Sequence, residues 1–128
     1  MKLRAKLAAI LLLVPVALAA DPIEGLWLTG SDDNGNRGLV EVKACGAAFC
    51  GTLIKAYNTA GAEVAGPNIG RQIVWDTANK GNGVYRGKVF SPDRGKTYNS
   101  KLLLDGARLS VSGCVLGVCR EGGIWEKQ

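Results

Sequence analysis

Residues 39–54 read LVEVKACGAAFCGTLI. Successive side chains of an extended chain point to opposite faces, so Val40 and Val42 share one face while Glu41 and Lys43 share the other. The alternation stops at CGAAFC, residues 45–50, and an apolar stretch resumes directly after it. Two antiparallel strands joined by a tight turn account for this pattern, with one face buried and the other solvated.

The pattern repeats along the chain. Turn-forming clusters occur at DDNGN (32–36), NTAGAE (58–63), AGPN (65–68), NKGNG (79–83), SPDRGK (91–96) and DG (105–106). Between them lie short stretches rich in Val, Ile, Leu, Trp and Tyr. One is ARLSVSG, where Leu109 and Val111 alternate with Arg108, Ser110 and Ser112. Candidate strands fall near 23–29, 38–45, 50–57, 69–76, 83–91, 96–104, 107–114 and 119–127. No amphipathic helical stripe accompanies them. An open meander would leave two unpaired edges, and closure into a ring removes them. The expected fold is all-β: a single antiparallel up-and-down β-barrel of about eight strands.

The first twenty residues, MKLRAKLAAILLLVPVALAA, carry Lys2, Arg4 and Lys6 ahead of an apolar run and end on small residues. That is the layout of a secretory signal, with cleavage expected after Ala19 or Ala20. The run is short against the ~20 apolar residues of a membrane span, and Pro15 interrupts it. The expected organisation is a signal peptide at 1–19 and one barrel domain at 20–128, periplasmic or secreted and not membrane-spanning once the leader is gone.

Three of the 16 basic residues lie in that leader, which leaves thirteen against 11 acidic ones and a net charge of +2 rather than +5. No run of Lys and Arg remains to follow a phosphate backbone, so nucleic acid is not an expected partner. The chain has no histidine. Ser-His-Asp and Cys-His catalysis, histidine metal ligation and a histidine pH switch are therefore excluded.

Four cysteines in an exported chain point to disulfides, with three connectivities open. CGAAFC and CVLGVC (114–119) each put a pair across a short turn, where facing strand positions come within disulfide reach. The expected bonds are Cys45–Cys50 and Cys114–Cys119. The rival pairs one cysteine from each turn. A zinc site of four thiolates competes poorly with oxidation in such a compartment, so neither metal nor cofactor is expected.

Few other groups suggest chemistry. Pro92-Asp93-Arg94-Gly95 suits a type I turn, and Tyr98, just beyond it, is a candidate for a binding mouth. Asp32-Asp33-Asn34-Gly35-Asn36 lacks the glutamate that closes a calcium loop and reads as a hairpin turn. The carboxylates are scattered among turns and polar strand faces, and none is nominated as catalytic. Trp27, Trp75, Trp125, Tyr57, Tyr85 and Tyr98 either fill a barrel or line a small cavity in it.

Gly25-Leu26-Trp27 in the first strand and Arg120 at the start of the last resemble the lipocalin and avidin-type superfamily. There a Gly-x-Trp strand plugs one end of the barrel, and a basic residue from the last strand covers the Trp. More specifically, several stretches resemble domain-of-unknown-function family 2147, small exported bacterial proteins. They are DPIEGLW (21–27), VEVKACGAAFCGTLI (40–54), VYRGKVFSPDRGKTYNSKLLL (84–104), LSVSGC (109–114) and the CR…W ending (119–125). Gly87 to Tyr98 carries the most specific string, G-K-[VI]-[FY]-x-P-x-x-G-K-x-Y. The Glu121-Gly122-Gly123-Ile124 stretch departs from relatives, which tend to have polar residues before the Trp. The resemblance implies a lipocalin-like barrel and export; it implies no activity and no catalytic residues.

From these readings the expected function is non-enzymatic binding of a small apolar or amphipathic ligand or an envelope component, with Trp27, Tyr98 and Arg120 as candidate ligand-binding residues. The alternative is an interaction protein that docks another envelope protein through its loops, with segment 58–68 as the natural contact.

Overall fold

The computed structural model describes residues 20–128, so the predicted signal peptide at 1–19 lies outside the described residues. Nine strands follow one another: β1 (Gly25–Leu28), β2 (Arg37–Cys45), β3 (Ala48–Tyr57), β4 (Glu63–Val64), β5 (Gln72–Asn79), β6 (Val84–Ser91), β7 (Lys96–Asp105), β8 (Arg108–Val115) and β9 (Val118–Lys127). All pairings are antiparallel. The strand order β2-β1-β9-β8-β7-β6-β5-β3 closes through a β2–β3 pairing, which gives an eight-strand barrel, and the short β4 is appended to the end of β3. Closure satisfies the edge groups that an open meander would expose. Among the described residues no helix is long and apolar enough to cross a membrane.

The expected first strand is shortened because Asp21-Pro22-Ile23-Glu24 forms a turn instead. The Glu24 amide donates to the Asp21 carbonyl at 2.9 Å, and the Ile23 amide donates to Asp21 Oδ1 at 2.9 Å. In return the Asp21 amide donates to Glu24 Oε2 at 2.9 Å. Each acidic side chain thus caps an amide of the turn, Asp21 that of Ile23 and Glu24 that of Asp21, as D-x-x-E spacing permits.

Strand direction sorts the connections onto two ends. The 21–24 turn, the β2–β3, β5–β6 and β7–β8 turns and the carboxyl terminus lie at one end. The β1–β2 loop, the 58–71 segment and the β6–β7 and β8–β9 turns lie at the other. The two cysteine hairpins therefore sit toward opposite ends.

Both hairpins are disulfide-bonded, Cys45 to Cys50 and Cys114 to Cys119, and no cysteine is free. A cross-pairing would have to bridge a strand's length at about 3.3 Å per residue, beyond the ~7 Å between Cα atoms that a disulfide tolerates. One expectation is corrected. Cys114 and Cys119 do face each other, with a Cα separation of 4.0 Å. Cys45 instead faces Ala48 while Cys50 faces Lys43, so the first bond runs diagonally over 5.6 Å. The cause is where glycine stands inside the gap. Gly46 (φ 67) opens a two-residue turn immediately after Cys45, whereas Leu116 and Gly117 (φ 51 and 80) form a turn centred between the second pair. Positive φ at the first central residue alone, against both, distinguishes type II′ from type I′ hairpins.

The core is one cluster inside the ring: Ile23, Trp27, Val40, Val74, Tyr85, Leu102 and Leu109 are all but inaccessible, and Phe49 packs edge-on to Tyr85 with ring centroids 6.2 Å apart. Nearly all of these side chains come from alternate positions of their strands, as a single inward face requires.

Candidate functional site

One end of the barrel is shut. Trp27 is completely buried and its indole N–H donates to the Ile23 carbonyl at 2.8 Å, which ties the 21–24 turn across the opening. Lys127 from β9 donates to the Pro22 carbonyl at 2.8 Å, and its ammonium stands 5.3 Å from the Trp27 ring centroid. This corrects the expectation that Arg120 covers Trp27. Trp27 is in register with Lys127, the last residue of β9, whereas Arg120 sits near the start of that strand and so toward the other end.

A polar group fixes the turn from its first residue. The Tyr85 hydroxyl donates to Asp21 Oδ1 at 2.5 Å, and Asn79 donates to Asp21 Oδ2 at 3.0 Å. Burial alone would raise the Asp21 carboxyl. The hydrogen bonds from Tyr85, the Ile23 amide and Asn79, together with the nearby Lys127 charge, outweigh it and hold the carboxyl below its ordinary value. Burial, then the hydrogen bond and charge of Asp21, push the Tyr85 phenol well above its ordinary value. Tyr85 and Asp21 stand 64 residues apart in the chain, so no local pattern marks the pair.

The other end is open onto a cavity of about 1000 Å³. Its existence follows from side-chain size. Inward positions in this half hold Gly38, Leu53, Val89, Val111 and Gly113, where the closed half holds Trp27, Phe49 and Tyr85. Trp125, almost wholly buried, also faces the cavity and pairs with Leu109 behind it. Tyr98 lies flat along the wall: a Cβ added at Gly113 would stand 3.1 Å from its ring, so glycine there lets the ring hug the barrel and leaves the lumen clear.

The rim is polar and carries both signs of charge. Arg37, Arg94 and Arg120 contribute guanidinium groups; Asp32, Asp33, Asp93 and Glu121 contribute carboxylates. None of them forms an ion pair among the described residues. Asp32 is committed to its own loop, accepting from the Asn34 and Asn36 amides at 2.8 and 2.9 Å. Among the described residues no group of three or more Cys, Asp or Glu side chains is placed to hold a metal ion. Segment 58–71 forms part of the wall through Val64, Gly66 and Pro67, and Arg71 anchors its end by lying 3.5 Å from the Phe90 ring centroid.

Of the three candidate ligand residues, Tyr98 and Arg120 thus border the cavity, and Trp27 belongs to the opposite plug. Trp125, noted in the sequence only as one aromatic among several, belongs with the first two. Its relevance depends on the closed register that brings β9 round to β1, which no local pattern specifies.

The family model described as "Uncharacterized protein conserved in bacteria (DUF2147)" matches residues 25–127. Comparison with curated proteins returned no match. Among solved structures, the chain is similar to protein HP1028 from Helicobacter pylori, described as belonging to the lipocalin family. The TM-score is 0.64 at 17% identity, over 82% of each chain. At that identity the likeness speaks for the fold: a lipocalin-like barrel.

Proposed function

We propose that this chain, which belongs to the DUF2147 family of bacterial proteins, is an exported, non-enzymatic barrel that holds a small apolar or amphipathic molecule in its open-end cavity. The observation that carries this reading is the cavity itself: about 1000 Å³ inside a barrel whose other end is plugged. A concave site with apolar walls and a few convergent polar groups is where small ligands bind. Leu53, Ile73, Val89, Val111 and Trp125 offer the apolar surface, while Tyr98 and Arg120 stand where a polar head would rest. The two disulfides fit an oxidising compartment. The non-enzymatic part is supported by the placement of the perturbed pair among the described residues, Asp21 and Tyr85, whose hydrogen bonding belongs to the closed end rather than the cavity. The docking alternative would use segment 58–68, whose residues 59–67 are exposed and which also lends Val64, Gly66 and Pro67 to the cavity wall.

A fluorescent long-chain fatty acid titrated into the protein tests the reading. Saturable emission enhancement, competed by unlabelled fatty acid and abolished in Val111→Trp, is the expected result. Equal signal in wild type and Val111→Trp, or no signal with any apolar probe, would remove the cavity from consideration.

A further inference from the structure

The tip of the β8–β9 hairpin is Val115-Leu116-Gly117-Val118. Val115 is 57% exposed, Val118 62% and Leu116 99%. Leu116 also sits at φ 51, at the first central position of its turn. That left-handed conformation suits Asn, Asp or Gly and is costly for a branched apolar residue. Nothing packs on the side chain to offset the cost. The adjacent disulfide, Cys114–Cys119, ties the two strands together directly behind the tip, so the turn projects as a stiff apolar finger at the mouth of the cavity.

Cations surround one side of it. Lys88 and Lys96 share a shallow groove with Val115 and Leu116, where the Lys88 ammonium donates to Asn99 Oδ1 at 2.5 Å, and Arg94 and Asp93 lie on the neighbouring β6–β7 turn. Asp93 is already bonded, accepting from the Ser91 hydroxyl at 2.5 Å. The other rim carboxylates, Asp32, Asp33 and Glu121, belong to the β1–β2 loop and to β9, on the finger's opposite side. An apolar tip with a cationic flank matches the boundary of an anionic bilayer, where apolar side chains enter below the headgroups and Lys and Arg meet phosphates. A second copy of the chain is a poorer match, because three side chains are few against the about 800 Å² that each partner contributes to a stable dimer.

We propose that the open end docks on an anionic phospholipid surface, inserting Leu116 with Val115 and Val118 and setting Lys88, Arg94 and Lys96 against lipid phosphates. The docked mouth then faces the lipid, a position from which an amphipathic molecule could pass between bilayer and barrel. The docking itself does not depend on the cavity being filled, and its test reads the finger and its flanking lysines, not the cavity.

The test is co-sedimentation of the purified protein with phosphatidylethanolamine–phosphatidylglycerol vesicles and, separately, with phosphatidylcholine vesicles. Binding to the anionic vesicles, weakened by added salt and weaker on phosphatidylcholine, is expected. Leu116→Asn should lower the partition about tenfold while the melting temperature holds or rises, since Asn suits the turn. Lys88→Gln and Lys96→Gln should each lower it about fivefold. Wild-type protein left in the supernatant, or Leu116→Asn binding as wild type does, would overturn the proposal. So would a wild-type dimer in lipid-free solution that Leu116→Asn converts to monomer, because the finger would then belong to a second copy.

Discussion

At the closed end Trp27, Phe49 and Tyr85 occupy the space between facing strands, while at the open end comparable inward positions hold Gly38, Val111 and Gly113. Both halves belong to one closed ring of antiparallel strands, and they differ in side-chain volume and in what the loops do. The 21–24 turn crosses the opening and is fixed from several sides, by the Trp27 indole, by Lys127, and by Tyr85 and Asn79 through Asp21. The longer loops at the other end line a lumen without filling it. One half is built for stability, and the other leaves packing undone where a ligand could complete it.

Substitutions that cross this division should behave unequally. The largest effect expected is from Trp27→Ala, which should lower stability by about 3–5 kcal/mol in chemical denaturation, because a fully buried indole leaves a cavity that cannot collapse. The truncation of Tyr98 to Ala, a half-buried ring on the cavity wall, should cost much less while weakening probe binding. If the two substitutions cost the same, the ends are not energetically distinct.

The disulfides come next. Each closes a loop of sequence separation 5, so removing either by paired Cys→Ser replacement should cost about 2 kcal/mol on the chain-entropy estimate. Binding separates them. Cys45→Ser with Cys50→Ser sits at the closed end and should leave probe affinity unchanged, whereas Cys114→Ser with Cys119→Ser loosens the hairpin that borders the mouth and should weaken it. Equal affinity in both double variants would show that the hairpin does not shape the cavity.

Acidity gives a third comparison. The folded Asp21 carboxyl titrates below its unfolded value, so its contribution is present above about pH 4 and is lost as pH falls through the folded value. The stability advantage of wild type over Asp21→Asn should therefore shrink on acidification below about pH 4. Tyr85 works in the opposite direction. Its raised phenol contributes fully below about pH 10, and that part declines as pH climbs further. Urea midpoints for both proteins across this range check the pair, and parallel curves would mean that Asp21 is not held by the network. The smallest effect belongs to Ser100, whose buried hydroxyl has no hydrogen-bond partner among the described residues. Ser100→Ala should leave stability unchanged or raise it by about 1 kcal/mol, measurable by thermal melting.

The sequence already disclosed the strands, because their information is local. Alternation in LVEVK and ARLSVSG, and a turn signal after each short strand, place eight strands and their reversals. The short β4 escaped notice because two residues carry no period. Contacts between distant strands were less legible. By resemblance the basic residue over Trp27 is Arg120, whereas the register of β9 against β1 delivers Lys127. The diagonal geometry of Cys45–Cys50 turns on Gly46 standing first in its gap, a detail that identical cysteine spacing hides. The cavity depends on which inward positions share a level of the barrel, and that is a property of the closed register, not of any one strand.

Amide chemical-shift mapping tests the division between the two ends most directly. With a long-chain fatty acid added to saturation, resonances around Leu53, Tyr98, Val111, Arg120 and Trp125 should move, while those of Asp21, Ile23, Trp27 and Asn79 stay in place. Shifts concentrated at the 21–24 turn, or a spectrum unchanged at saturating ligand, would mean that the open end is not where the molecule binds.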